Sequence, residues 1–432
     1  MIQNAQSDFQ DKDAVFGVKG PRKLVQLPQF DLVSGFVVDN LHCVDLGVSR
    51  QLGHLWFDSS NHQEPWYIGG KVESIDSRIN LIHPPNEITR VPRSLRHRAY
   101  WKSSEWHWWL LLYAPVMLFG ILPQPFYVHL LLLVEGVFLL TSSSISRQDL
   151  NKAEACLSQY VFQFEELYGK QHLTYNVHQL LHLTKTVTDC GPLSSYSSYT
   201  FEGFNMILLK LFHGTQAVPK QITNSFLLYK GILAIASSIP GEADDDPVLE
   251  YVDAVLSGCP PLKKSLKICD DVTFLGAHYV RSLTLEEKFL VEEYFSQEVE
   301  EEVLIYNKAV VKGNVLYSVN YRRSVKRNNF TVGLKDGTIV EIINFVVVKF
   351  LFGQRETIAF ANNCHVVGQW LRPDSECGSC CSHINVITGR EINLRMIKLT
   401  MLEHKYAVIE YGYSLPGTMC CRLPNLIDMV LV

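Results

Sequence analysis

From about residue 105 the apolar residues recur at helical spacing, and this pattern continues to about residue 238. Ser146-Arg-Gln-Asp149 predicts the start of a helix that runs to about Tyr168, because a serine followed three residues later by an acid can cap a first helical turn. Further helices are predicted over residues 172–188, 202–213 and 217–238. The first 240 residues are therefore predicted to be mostly helical.

Residues 106–122 and 126–140 are two strongly apolar runs. Both fall short of the ~20 apolar residues of a typical spanning helix. They also carry His107, His129 and Glu135, which are costly to place in lipid. We therefore predict two buried helices of a large core rather than a membrane hairpin. The nearby tryptophans are predicted to pack in that core rather than to stack on bases: Trp101, Trp106, Trp108 and Trp109.

After residue 240 the pattern changes twice. Gly241-Glu-Ala-Asp-Asp-Asp-Pro247 is an acidic, turn-forming break, and a glutamate-rich helix is predicted over residues 283–302. Beyond it, short β-rich runs follow one another, and Lys335-Asp-Gly337 indicates a hairpin. The sequence thus predicts an α+β protein with three parts: a mostly helical domain (1–240), an acidic linker and helix (241–302), and a small, barrel-like β module (303–432).

Composition narrows the class of protein. The hydrophobic fraction is 47% and the charged fraction 19%, as in globular domains. The net charge of −5 argues against a generally basic surface for nucleic acid. The start of the chain lacks a signal-peptide pattern, so the 11 cysteines are predicted to be reduced in a nuclear or cytoplasmic protein.

One compact basic group lies between two predicted strands, Arg322-Arg-Ser-Val-Lys-Arg327. Arg322, Arg323, Lys326 and Arg327 are candidates for phosphate contacts or for a nuclear import signal. The alternative is a solvated hairpin loop. Cys377-Gly-Ser-Cys-Cys-Ser-His383 has a C-x-x-C spacing, but we favour reduced cysteines in a surface loop over a zinc knuckle, which needs four well-placed ligands.

Ionisable residues are concentrated in an otherwise apolar stretch, Phe30 to Val48. The stretch contains Asp31, Asp39, His42, Cys43 and Asp45. Such groups are costly to bury unless they are paired or bind a metal. The stretch is therefore either a functional site or a core whose polar groups are satisfied.

A second set of candidate ligands comes later in the chain. His178 and His182 are spaced to lie on one helix face, and Asp39 and His42 form a comparable pair. Two such pairs can assemble a tetrahedral metal site, although the histidines can equally be exposed or core residues. Glu202, flanked by phenylalanines, is the only acid between residues 189 and 242. It either binds a metal, has a cationic partner or a raised pKa, or favours a helix N-terminus.

Several separated motifs, taken in order, resemble transposase-derived proteins of the CACTA (En/Spm-like) group over about residues 15–235. They are Val18-Lys-Gly-Pro21, Phe30-Asp-Leu-Val-Ser-Gly-Phe36, Asp39-Asn-Leu-His-Cys43, Leu46-Gly-Val48, Leu55-Trp-Phe-Asp-Ser-Ser60, Asn176-Val-His-Gln-Leu-Leu-His-Leu183, Gly191-Pro-Leu193, Phe201-Glu202 and Lys210-Leu-Phe-His-Gly-Thr215.

The resemblance implies an RNase H-like domain interrupted by a helical insertion, in which two aspartates and a glutamate hold divalent metals for attack on DNA. It places Glu202 at the last catalytic acid. It also implies that Asp39, His42, His178 and His182 hold a structural zinc ion, as comparable positions do in the related vertebrate antigen-receptor recombinase. Mg²⁺ or Mn²⁺ would be needed only by an active enzyme.

The chain departs from the family pattern at its start. The first catalytic aspartate and its strands should lie far upstream of Asp39, and the residues before it are too few to hold them. We expect a truncated, catalytically inactive relic with a remaining role in DNA or protein binding. The partners expected are DNA and a second copy of the chain, without a membrane. The alternatives are an active metal-dependent transposase or nuclease, and an interaction protein unrelated to nucleic acid.

Overall fold

The computed structural model describes residues 27–31, 35–90, 92–238, 265–269, 271–321, 326–371, 380–410 and 417–425. Helices dominate the first part and antiparallel strands the last, so the predicted α+β class is confirmed. The acidic break at 241–247 and the motif at 18–21 lie outside the described residues.

The first part contains ten α-helices among the described residues, together with two π-helical stretches. The bounds are a π-helix at Leu41–Ser49 that continues into α1 (Arg50–Phe57), then α2 (Val72–Ile79), α3 (Ser103–Trp108), a second π-helix at Trp109–Tyr113, α4 (Ala114–Met117), α5 (Gln124–Thr141), α6 (Arg147–Tyr168), α7 (Tyr175–Gln179), α8 (Leu183–Cys190), α9 (Ser198–Leu209) and α10 (Val218–Ser238).

Helices α5 and α6 form the centre of the helical core. Among the described residues, α5 alone is long and apolar enough to cross a membrane, and 83% of it is buried inside the protein, as in a core helix. The predicted cap of α6 is present: Ser146 Oγ accepts a hydrogen bond from Asp149 N, and the Asp149 carboxylate accepts one from Ser146 N. The four predicted core tryptophans are buried as well.

The second part is built from antiparallel strands and one helix. The bounds are β2 (Ser265–Cys269), β3 (Val272–Leu275), β4 (Tyr279–Ser282), α11 (Leu285–Phe295), β5 (Glu302–Tyr306), β6 (Lys308–Val311), β7 (Asn314–Tyr317), β8 (Thr331–Leu334), β9 (Ile339–Lys349), β10 (Arg355–Leu371), β11 (Cys380–Lys398), β12 (Leu402–Glu410) and β13 (Thr418–Arg422).

Six of these strands close into a ring. Strand β9 pairs with β10, β10 with β11, β11 with β13, β13 with β12, β12 with β8, and β8 again with β9. Such closure removes the unpaired edges that an open sheet exposes. The strand pairing therefore forms a closed ring of six strands.

The helical part and the β module share one core. Strand β1 (Ile82–His83) belongs to the helical part in sequence, yet it pairs with β12. Ile384, Ile409 and Met419 of the β module pack in the same cluster of buried residues as helices α5 and α6. The two parts predicted as separate domains are thus joined by a continuous apolar interface.

Three helices differ from their predicted bounds, and the first of them, α9, spans residues 198–209 rather than 202–213. Helix α11 ends at Phe295 rather than near residue 302, because Ser296 adopts a left-handed backbone conformation (φ 52°). The helix predicted over 172–188 is divided: a 3₁₀ turn at Leu180–His182 separates α7 from α8.

Candidate functional site

Asp39 links the two halves of the predicted site. Its Oδ2 accepts a hydrogen bond from His42 N (3.0 Å) and lies 2.6 Å from His42 Nδ1, while its Oδ1 accepts one from Ser198 N (2.8 Å). Burial disfavours the charged form of Asp39, but the hydrogen bonds from Ser198 and His42 outweigh it and hold its pKa below the ordinary value. Asp39 is therefore a carboxylate that caps the start of α9.

The short contact assigns different roles to Asp39 and His42. Two atoms bound to one tetrahedral zinc ion lie about 3.3 Å apart, because each bond is ~2.0–2.1 Å long. The 2.6 Å between Asp39 Oδ2 and His42 Nδ1 is a hydrogen bond instead. Metal-binding histidines are commonly oriented in this way by a carboxylate behind the ring. The geometry fits Nε2 of the exposed His42 as a ligand and Asp39 as the group that orients it.

His178 and His182 fit a shared metal ion more directly. Their Nε2 atoms are 3.4 Å apart, the spacing expected for two tetrahedral ligands at ~2.0–2.1 Å from zinc. Both side chains are exposed, so a metal ion can reach them.

The segments that carry the two pairs are in contact. Cys43 Sγ donates to the Asn176 carbonyl (3.4 Å), and Gly47 lies so close that a Cβ added there would be 2.6 Å from Asn176 Nδ2. Within the described part of the chain, however, no three His, Cys, Asp or Glu side chains are grouped closely enough to hold a metal. The predicted four ligands therefore remain two separate pairs.

Glu202 lies on α9, one turn after Ser198. Its side chain is exposed, as are the flanking Phe201 and Phe204. The hydrogen bond from Ser198 N to Asp39 thus joins the first sequence motif to the helix that carries the predicted catalytic acid.

Sequence reasoning missed the role of Asp45. This fully buried carboxylate lies 3.1 Å from His107 Nδ1 and accepts hydrogen bonds from Tyr199 Oη (3.1 Å) and Asn40 Nδ2 (3.4 Å). The apolar surroundings of Asp45 and His107 indicated buried polar groups, but nothing in the sequence identified them as partners. Asp45, within the first π-helix, and Asp39, just before it, together attach the start of α9 to this segment. π-Helical turns are often found at functional sites.

The basic group is only partly described, because Arg322 and Arg323 lie outside the described residues. Lys326 is exposed. Arg327 is a structural contact: its guanidinium donates to the carbonyls of Pro85, Ile88 and Thr89, and burial lowers its pKa. Arg327 therefore links the β module to the helical part through these hydrogen bonds.

The predicted surface loop around His383 is wrong where the structure describes it. Cys381 and His383 belong to β11 and are buried. His383 Nε2 lies 2.8 Å from the Leu111 carbonyl, and its ring stacks on Phe138. Burial lowers the pKa of His383 to about 4. Because the His383 ring is buried and contacts Leu111 and Phe138, a metal ion in solution cannot reach it. Cys377 lies outside the described residues.

No family model, curated protein or solved structure matches the chain. Its function is inferred from its own residues and their geometry.

Proposed function

We propose that this chain is a transposase-derived protein that binds DNA without cleaving it, and that its helical part is derived from an RNase H-like domain with a helical insertion. One contact carries the proposal. Asp39 Oδ1 accepts a hydrogen bond from Ser198 N, which holds the Asp-x-x-His motif beside the helix of Glu202. The transposase-like motifs, far apart in sequence, meet there.

The two aspartates described beside α9 are already engaged in contacts within the chain. A two-metal nuclease needs several carboxylates around ions ~3.5–4 Å apart. Asp39 accepts hydrogen bonds from His42 and Ser198, and Asp45 is fully buried against His107. Glu202 is an exposed residue of α9. The rival function is an active metal-dependent DNA transposase or nuclease.

Zinc has a structural role in this proposal. His178 and His182 would hold the ion through Nε2. Because His42 is not grouped with them in this structure, it would have to move toward the pair, still oriented by Asp39, to become a further ligand. Joining these segments would stabilise the contact that Cys43 makes with Asn176. Mg²⁺ or Mn²⁺ belongs only to the rival nuclease.

We assign the DNA contact to Arg322, Arg323 and Lys326, since Arg327 is committed to the β module interface. Removing three phosphate contacts lowers the slope of log K against log salt by about 0.9 for each contact. Fluorescence anisotropy with duplex DNA should show this loss in the Arg322→Ser/Arg323→Ser/Lys326→Ser variant. The Arg50→Ser/Arg147→Ser/Lys170→Ser variant removes the same charge from exposed sites on the helical part and should keep the parent slope.

A strand-cleavage assay distinguishes our proposal from the rival, an active metal-dependent nuclease. With Mn²⁺ or Mg²⁺, neither the parent chain nor Glu202→Gln should cut DNA. Cutting by the parent that disappears in Glu202→Gln would establish the nuclease and refute our proposal.

Metal analysis tests the zinc site. Protein prepared under reducing, chelator-free conditions should contain about one zinc per chain, and His182→Ala should lose it. His172→Ala is the matched control, because His172 lies near the pair in sequence but is half-buried against Trp66. Parent protein without zinc would remove the metal from the proposal and leave the DNA test unaffected.

A further inference from the structure

Helices α9 and α10 form an arm with unusually exposed apolar side chains. Phe201 on α9 and Leu228 on α10 are each 68% exposed. Leu227, Tyr229 and Ile232 are exposed as well. Leu227, Leu228 and Tyr229 are consecutive, and at 100° per residue they span more than half of the circumference of α10.

Such a helix needs a partner. An isolated helix is marginal in water, and a helix that is apolar on most sides is normally buried. Inside the chain, Ser225 Oγ donates to the Leu211 carbonyl and Lys230 lies over the Phe226 ring, so both contacts stay within the arm. Leu227, Leu228 and Tyr229 remain largely exposed to solvent despite these contacts.

The arm is also basic. From residue 198 to residue 238 the sequence holds Lys210, Lys220 and Lys230 against the single acid Glu202. A complementary surface should therefore combine exposed apolar groups with negative charge.

Helix α11 has those properties. Leu285 is 90% exposed and Phe289, one turn later on the same face, is 63% exposed. Glu286 and Glu293 are exposed beside them. The opposite face is fixed to the β module, where Val291 is buried and Glu287 pairs with Arg281. The far end is covered by Lys398, which lies over Phe295.

We propose that the arm of one copy binds the Leu285–Phe289 face of α11 in a second copy. Apolar contact supplies the affinity, and the lysines opposite the glutamates fix the partner and the register. Because two different surfaces meet, the contact is head-to-tail: reciprocal exchange gives a closed dimer, and one-way contact gives an open chain. DNA binding does not enter this contact.

Sedimentation velocity tests it with two variants, Leu228→Glu on the arm and Phe289→Lys on α11. The parent should associate below about 100 µM, as a weak but specific interface does. Each variant should be monomeric with an unchanged circular dichroism spectrum. An equimolar mixture should associate again, because one variant keeps an intact α11 face and the other an intact arm.

The matched control is Phe162→Glu, which changes an aromatic on α6 that is as exposed as those on the arm. It should associate like the parent. A parent that stays monomeric at this concentration overturns the proposal. So does a mixture that stays monomeric, since it shows like-with-like contact, or a Leu228→Glu variant that still associates.

Discussion

The interface between the helical part and the β module differs sharply from the arm. At the interface, Lys405 of β12 is almost completely buried and pairs with Glu87, and His383 of β11 reaches the Leu111 carbonyl. In the arm, large apolar side chains such as Leu228 are exposed, and the start of α9 is held by hydrogen bonds from Ser198 and Tyr199 to Asp39 and Asp45.

The difference shows which buried or apolar groups have partners within the chain and which remain exposed. A buried charge is tolerated at the interface because its partner comes from the same chain. Exposed apolar area on the arm has a cost that only a partner can remove. The interface should therefore determine stability, and the arm should determine association.

The largest loss in the free energy of unfolding is expected from Lys405→Met. Removing one member of a buried pair leaves the Glu87 carboxylate uncompensated, at a cost of about 3–5 kcal/mol in the free energy of unfolding. Denaturant titration measures the loss. The double variant Lys405→Met/Glu87→Leu should regain most of it, because apolar residues replace both charges. A single variant as stable as the parent would contradict a buried pair.

A pH titration of stability gives the next largest effect. Burial lowers the pKa of His383 from 6.5 to about 4. Between pH 4 and pH 6.5, His383 is therefore protonated in the unfolded chain but neutral in the folded chain. The contribution of His383 is fully present above pH 6.5 and falls by roughly 3 kcal/mol as the pH drops to 4. His383→Gln should flatten this part of the curve. An unchanged slope would show that other groups cause it.

A smaller effect is expected from Asp39→Ala. The carboxylate accepts hydrogen bonds at the start of α9, and losing such a cap costs about 1–2 kcal/mol. Hydrogen exchange should accelerate at the backbone amides of α9 while those of α6 keep their protection. Asp58→Ala, which removes a carboxylate cap from an exposed 3₁₀ turn at Ser59–Asn61, is the control and should leave α9 unchanged.

The smallest effect is expected from Leu228→Ser on the arm. An exposed side chain contributes little to folding, so the monomer should change by no more than about 0.5 kcal/mol. Thermal unfolding at low protein concentration, below association, measures this. A loss comparable to that of Asp39→Ala would show that Leu228 packs within its own chain.

Short sequence motifs correctly predicted the helices and turns that contain them. The Ser146–Asp149 cap gave the start of α6, and Lys335-Asp-Gly337 gave the β8–β9 hairpin, where Gly337 takes the positive φ that such a turn requires. Helix α10 was predicted within one residue at its start. In each case the residues that decide the structure are neighbours in sequence.

The long hairpin of β10 and β11 could not be predicted in the same way. Its register shifts at several bulges, among them Asn362/Cys364, and these interrupt the alternation that identifies a strand. The same limit applies to the site. The pairing of Asp39 with His42 follows from spacing, but the contacts of Asp45 with His107 and Tyr199 depend on packing between distant helices.

The strand β1 has a consequence for how the protein is made. It joins β12, and nearby Glu87 meets Lys405 across 318 residues of chain. Closing so long a loop is slow, and it cannot begin on the ribosome until β12 has been synthesised. Part of the apolar core of the helical region therefore stays uncovered during synthesis until β12 has been made.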